Sequence, residues 1–108
     1  MVSANEIWIL ERGDEVIQRR ATPGSGSLNP LDRLIYCLWV ADYGMRNAGD
    51  LDAAEELCPG FQVTALEAAR ELSLSHCHEA FSLPRGDFEA RYFEFFDALC
   101  EEIKSALL

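Results

Sequence analysis

Near the C-terminus the apolar residues Phe88, Tyr92, Phe95, Leu99 and Ile103 recur at steps of four, three, four and four. That period gathers them on one face of an α-helix, whereas a strand would scatter them over both faces of a sheet. Phe96 and Leu107 widen the stripe, so a long amphipathic C-terminal helix of roughly 20 residues is expected. So much apolar surface has to be covered by the rest of the chain.

Residues 28–48 supply the cover. Asn29 suits an N-cap, Pro30 the first helical position, and Asp32 the positive end of the helix dipole. Leu31, Leu34, Ile35, Leu38 and Met45 mark one face, yet Tyr36, Cys37, Trp39 and Val40 make the middle apolar nearly all round. Such a helix belongs at the centre of a bundle. Asn47 and Gly49 then suit a helix-ending turn, because both residue types tolerate the left-handed conformation.

The first segment opens with Ser3 and Glu6 at capping-box spacing, and Leu10, Gly13, Ile17 and Ala21 follow at helical spacing with Ile9 and Val16 beside them. A helix over residues 4–21 is expected, stopped by Pro23-Gly24. Gly13 in mid-helix costs up to about 1 kcal/mol relative to Ala, which leaves open a hairpin turning at Arg12-Gly13-Asp14. "TPGSGSLN" reads as a flexible connection. Further on, Asp52 with Glu55 and Thr64 with Glu67 are spaced as two more capping boxes. "CPG" at 58–60 ends the helix that the first opens, and a break near Leu74 precedes a short helix over Ser75 to Phe81. "SLPRGD" is a turn, with Asp87 as the next N-cap. The fold class expected is all-α, a compact bundle of five or six helices. At 108 residues one domain is the natural size, residues 1–27 forming the N-terminal helix and connection and 28–108 the main bundle.

Charge narrows the function. Nineteen acids against nine Lys and Arg give a net charge of −10, which argues against nucleic acid or an anionic membrane as a direct ligand and for a basic partner. The acids are not spread evenly: from residue 47 onward there are thirteen, against only Arg70, Arg85, Arg91 and Lys104. Asp50, Asp52, Glu55 and Glu56 form one candidate patch. Glu94, Asp97 and Glu101, spaced three then four on the last helix and away from its aromatic stripe, form the other. A row of carboxylates on a rigid element can present a phosphate-like potential to a basic groove, the physical content of DNA mimicry, although acidic helix faces are also commonly just solvated. No basic segment precedes an apolar run at the start, and no apolar stretch approaches the roughly 20 residues of a membrane span, so a cytoplasmic location without membrane contact is expected.

Catalytic and metal chemistry have little to stand on. His76, Cys77, His78 and Glu79 could each bind zinc, but neighbours on a helix point about 100° apart and zinc sites want ligands that converge. Neither a nucleophile elbow nor a phosphate-cradling loop with its Lys is present. Cys37, Cys58, Cys77 and Cys100 lie about twenty residues apart without a CxxC clip. Reduced thiols packed as small hydrophobes are expected, with a disulfide framework as the alternative. No cofactor is called for, and a non-enzymatic role is expected.

Three passages, "LDRLIYCLWVADYGMRNAG", "EAARELSLSHCHEAF" and "RYFEFFDALCEEI", resemble an uncharacterised bacterial helical domain family that includes a dimeric DNA-mimic protein. The similarity spans about residues 28–105. In that family a long apolar helix runs into an Asn-Asn-Gly-Gly-Phe turn; Asn47 and Gly49 match its second Asn and second Gly, while Arg46, Ala48 and Asp50 depart from it. The resemblance implies an all-α fold and an inhibitor whose acidic face occupies the DNA site of a basic regulator. An immunity-type or assembly protein, recognising one partner through a mixed surface with exposed apolar groups, is the rival expectation. The second apolar edge of the last helix could serve a homodimer or simply the core.

Overall fold

The computed structural model describes residues 3–21 and 29–107, with side chains omitted for 19–21. Among the described residues six helices follow in order: α1 (Ala4–Ala21), α2 (Pro30–Ala48), α3 (Asp52–Leu57), α4 (Phe61–Leu72), α5 (Ser75–Phe81) and α6 (Arg85–Ala106). There is no strand among the described residues. α2 lies at the centre, packed against α1, α3, α4 and α6, and the radius of gyration is 12.9 Å. A folded chain of this size should measure about 13 Å, so the all-α bundle is compact. No helix among the described residues is long and apolar enough to cross a membrane.

α1 is helical throughout, which removes the hairpin alternative. Its start is the expected reciprocal cap: the Ser3 amide donates to Glu6 Oε2 at 2.7 Å and the Glu6 amide to Ser3 Oγ at 3.2 Å. Gly13 is tolerated in mid-helix because Trp39 of α2 crosses there; a Cβ on Gly13 would lie 2.3 Å from Trp39 Cδ1. That notch fixes the rotation of α1. Asn5, Ile9, Gly13 and Val16 are buried, while Leu10, expected on the inner stripe, is 53% exposed and Ile17 only half-buried. The connection expected over residues 22–28 and the stop at Pro23-Gly24 lie outside the described residues.

α2 begins as expected, with Asn29 Oδ1 accepting from the Asp32 amide at 2.8 Å and Pro30 in the first turn. It ends at Gly49, whose φ of 76° is left-handed and whose amide donates to the Met45 carbonyl. Asn47 stays helical and instead donates its side-chain amide to the Tyr43 carbonyl at 2.7 Å.

The later starts differ from the expected capping boxes. α3 has Leu51 as its N-cap, and Asp50, one residue before it, accepts from the Asp52 amide at 3.0 Å, while Glu55 turns the other way and accepts from the Gly60 amide at 2.7 Å. α4 begins at Phe61, a turn before Thr64, because Gly60 adopts φ 73° and lets Phe61 enter the core. α6 begins at Arg85, so Asp87 is not its N-cap but sits in the first turn, facing the helix dipole. The break between α4 and α5 falls at Ser73, with φ 58°, and α5 spans the expected residues.

α6 closes the core. Phe88, Tyr92, Phe96, Leu99 and Ile103 are buried, and Phe95 is half-buried. Phe88 is the hub, with ring centroids 5.3 Å from Phe81 and Phe95, 5.7 Å from Tyr92 and 6.5 Å from Phe61, in the tilted and edge-on geometries that ring quadrupoles favour. Leu107 lies past the end of α6 and is exposed, so it does not widen the stripe. All four cysteines are free thiols.

Candidate functional site

The two acidic groups read from the sequence do not form one surface. Asp50, Asp52, Glu55 and Glu56 surround α3, which sits against the first turns of α6: Asp52 pairs with Arg85, and Glu89 accepts from the Leu51 amide at 2.8 Å. Glu101 lies twelve residues beyond Glu89 on α6, about 18 Å along its axis. Most of these carboxylates also hold something in place. Asp50 and Glu55 bond the backbone as described, whereas Glu56 is exposed and bonds no described residue.

The second group divides further. Glu94 pairs with Arg91 at 3.4 Å and Glu101 with Lys104 at 3.3 Å, both on the outer face of α6. Asp97 turns toward α1, where Asn5 Nδ2 donates to it at 2.8 Å and Asn5 Oδ1 in turn accepts from Lys104 at 2.5 Å. Asp87 takes its place in the outward line: Asp87, Glu94 and Glu101 are all exposed and seven residues apart, a spacing that drifts only about 20° around the helix per step. Glu102 leans the opposite way and caps α5, accepting from the amides of His76 at 2.9 Å and Cys77 at 2.8 Å. Burial pushes its carboxyl up, but those two backbone amides outweigh it and hold the pKa below the ordinary value.

Where α1, α2 and α6 meet, a polar network is built into the bundle. Asp42 is buried, accepting from Tyr92 Oη at 2.6 Å and from Arg46 Nε at 2.8 Å. Arg46 reaches on to Glu6 of α1 at 2.9 Å, and its guanidinium lies 4.7 Å from the ring centre of Phe96 and 5.1 Å from that of Phe93. Burial raises the Asp42 pKa despite both donors, and burial also raises that of Tyr92, with the Asp42 charge adding to it. Glu6 is shifted the other way, first by the Ser3 backbone amide.

Around this network the surface is apolar. Leu10 and Tyr43 line a recess of about 230 Å³ together with Trp39, Arg46, Asn47 and Glu6. Tyr43 is 47% exposed, Phe93 beneath Arg46 is 55% exposed, and Ile7 lies one turn before Leu10 on α1 at 47%. Trp39 stacks between Tyr36 and Tyr43, with centroids 6.2 and 6.0 Å away, so the exposed ring is held in place. Sequence reading passed over this face, although one signal was there: Phe93 is the single aromatic of α6 that the stripe leaves out. Asn47 of the turn lines the recess, and Gly49 only ends the helix.

The His and Cys cluster does not converge. The Cys77 thiol points inward to the Leu99 carbonyl at 4.0 Å, while His76 is exposed and His78 only half-buried. No group of three His, Cys, Asp or Glu among the described residues is placed to hold a metal ion. Compared with known proteins, the chain matches no family model, no curated sequence and no solved structure.

Proposed function

We propose that the chain is a non-enzymatic binding protein that recognises a basic protein partner, with the Leu10, Tyr43 and Phe93 face as the centre of contact and the surrounding carboxylates as its rim. The observation that carries this reading is the exposed apolar face itself. Large aromatic and aliphatic groups stand half out of water around an ion-pair cluster in which Arg46 bridges Glu6 and Asp42, the build of an interface centre. The net charge of −10 selects for a partner of opposite sign and steers its approach.

DNA mimicry, the reading that the family resemblance implies, keeps one observation in its favour: the line of Asp87, Glu94 and Glu101 along the outside of α6. Against it stand the local partners of Glu94 and Glu101 and the engagement of Asp97 by Asn5.

One experiment separates the two. A tagged wild-type chain, a Tyr43→Ser/Phe93→Ser variant and an Asp87→Lys/Glu94→Lys/Glu101→Lys variant are each used to capture partners from lysate across a salt gradient. Loss of a basic protein with the apolar pair, and retention of it by wild type at high salt, is the expected result. Loss with the charge triple and release of the partner by moderate salt would favour mimicry, because exposed charges act over only about 8 Å at physiological ionic strength. Equal capture by all three chains would sink both.

A further inference from the structure

The recess beside Tyr43 has apolar walls and charged borders. Leu10 and the stacked rings of Trp39 and Tyr43 form its sides, and Glu6, Asp42 and Arg46 also line it. At about 230 Å³ it has room for one long side chain and not for a helix. Asp42 is only 4% exposed, yet its two carboxylate oxygens are treated unequally. Tyr92 Oη at 2.6 Å and Arg46 Nε at 2.8 Å both donate to Oδ1. Oδ2 accepts from no described residue, and it is not among the polar atoms sealed from solvent. A buried carboxylate oxygen without a donor costs stability in the free chain, here at a place that an incoming donor can reach. Charge points the same way. Arg46 is shared between Asp42 and Glu6, so two carboxylates border the recess against one guanidinium, which lies over the Phe93 and Phe96 rings. Burial raises the Asp42 pKa in spite of both donors, as expected of a carboxylate with too little positive charge around it.

We propose that this recess is the socket for one lysine side chain of the basic partner, its ammonium donating to Asp42 Oδ2 and its four-carbon stem lying against Leu10 and the Tyr43 ring. The inference rests on the reading that the surrounding face meets a basic protein, and it names the group that anchors it. Aromatic walls attract a cation through the ring quadrupole, and an apolar stem fills the space between them. Lysine rather than arginine follows from the acceptors. A guanidinium fork wants both oxygens of a carboxylate, and Arg46 and Tyr92 already hold Oδ1. An ammonium is a compact point charge that one free oxygen serves. A neutral apolar side chain would bury Oδ2 unpaired, and an anionic one would meet two carboxylates.

The test needs no partner. n-Butylammonium chloride, the lysine side chain without its backbone, is titrated into the native chain near pH 7 at constant ionic strength, and the indole N–H signals are followed by two-dimensional NMR. Trp39 lines the recess, whereas Trp8 lies under Lys104 and serves as the control. The expected result is a saturable shift of Trp39 alone, with binding about tenfold tighter than that of 1-butanol, the neutral analogue. Asp42→Asn should erase this preference. That variant also disturbs Tyr92 and Arg46, so Leu10→Phe supplies a second: it crowds the recess from an exposed position, touches no ion pair, and should weaken n-butylammonium binding. Equal affinity for the amine and the alcohol would overturn the proposal. So would tighter binding of n-butylguanidinium, a preference for pentanoate, which would make Arg46 the ruling charge, or a Trp8 shift that tracks that of Trp39. Failure here is distinct from failure of the wider reading: an amine that does not bind removes the socket and leaves the apolar face as the contact, whereas a Tyr43→Ser/Phe93→Ser chain that keeps its partner removes that face whatever the amine does.

Discussion

Asp42 is a carboxylate held inside the bundle by two donors, and the balance at that one residue sets a measurable pH dependence. Burial raises its folded pKa above the ordinary value of about 3.9. A carboxyl shifted upward binds its proton more tightly in the folded chain, so its contribution to stability is greatest below the unfolded pKa and is lost as pH rises through the folded one. Tyr92 offsets part of that loss by donating to the charged form. Tyr92→Phe should therefore cost about 1–3 kcal/mol at neutral pH, where it leaves a buried carboxylate short of a donor. The cost should shrink as pH falls and Asp42 takes up its proton. Urea unfolding of wild type and variant at pH 7 and near pH 4 checks this; a cost independent of pH would mean that the hydroxyl matters only for packing.

Helices dock here through features that a local reading of the sequence sees unequally. Gly13 is the notch into which Trp39 fits, so Gly13→Ala should destabilise the fold by about 1–3 kcal/mol through overpacking, although Ala is the better helix former. Thermal unfolding measures it, and a stabilised variant would show that Trp39 yields easily. α5, only seven residues long, depends on Glu102 of α6 to satisfy its first amides. The pKa of Glu102 is depressed, so its contribution is present above its unfolded value of about 4.3 and is lost as pH falls through the lower folded one. Glu102→Gln should cost about 1 kcal/mol at pH 7, the worth of a typical cap, and close to nothing in strong acid; comparing acid unfolding of the two chains tests the sign. The helices themselves were legible, because apolar period and the Ser3 and Asn29 caps are local. The caps expected at Thr64 and Asp87 were misplaced by four and three residues, and that at Asp52 by one. Cross-chain bonds such as Glu89 to Leu51, or Glu102 to Cys77, span 38 and 25 residues, and no short motif records them. The acids of the candidate surface were legible as composition. The apolar face was not, because only the Gly13 contact decides that Leu10 points outward.

Across the whole molecule, thirteen acids face four bases in the half from residue 47 onward, and the three bases that α6 contributes all pair with neighbouring carboxylates. Two opposing effects of salt follow. Screening weakens surface ion pairs worth about 0–1 kcal/mol each, and it also weakens repulsion among the acids left in excess. Glu94 and Glu101 stand about 10 Å apart along α6, inside a Debye length of about 30 Å at 0.01 M salt and just beyond one of about 8 Å at 0.15 M. Repulsion should dominate because acids outnumber bases, so the urea midpoint at pH 7 should rise over that range of salt. Glu94→Lys/Glu101→Lys lowers the magnitude of the net charge by four and should remove much of the rise. A midpoint that falls with added salt would instead mean that the ion pairs carry the balance and that the acidic half is already self-compensated. The outcome bears on recognition: where repulsion remains in the free chain, a basic partner relieves it on binding and stabilises the fold most at low salt. If none remains, affinity has to come from the apolar face around Phe93, and charge sets only how fast the partner arrives.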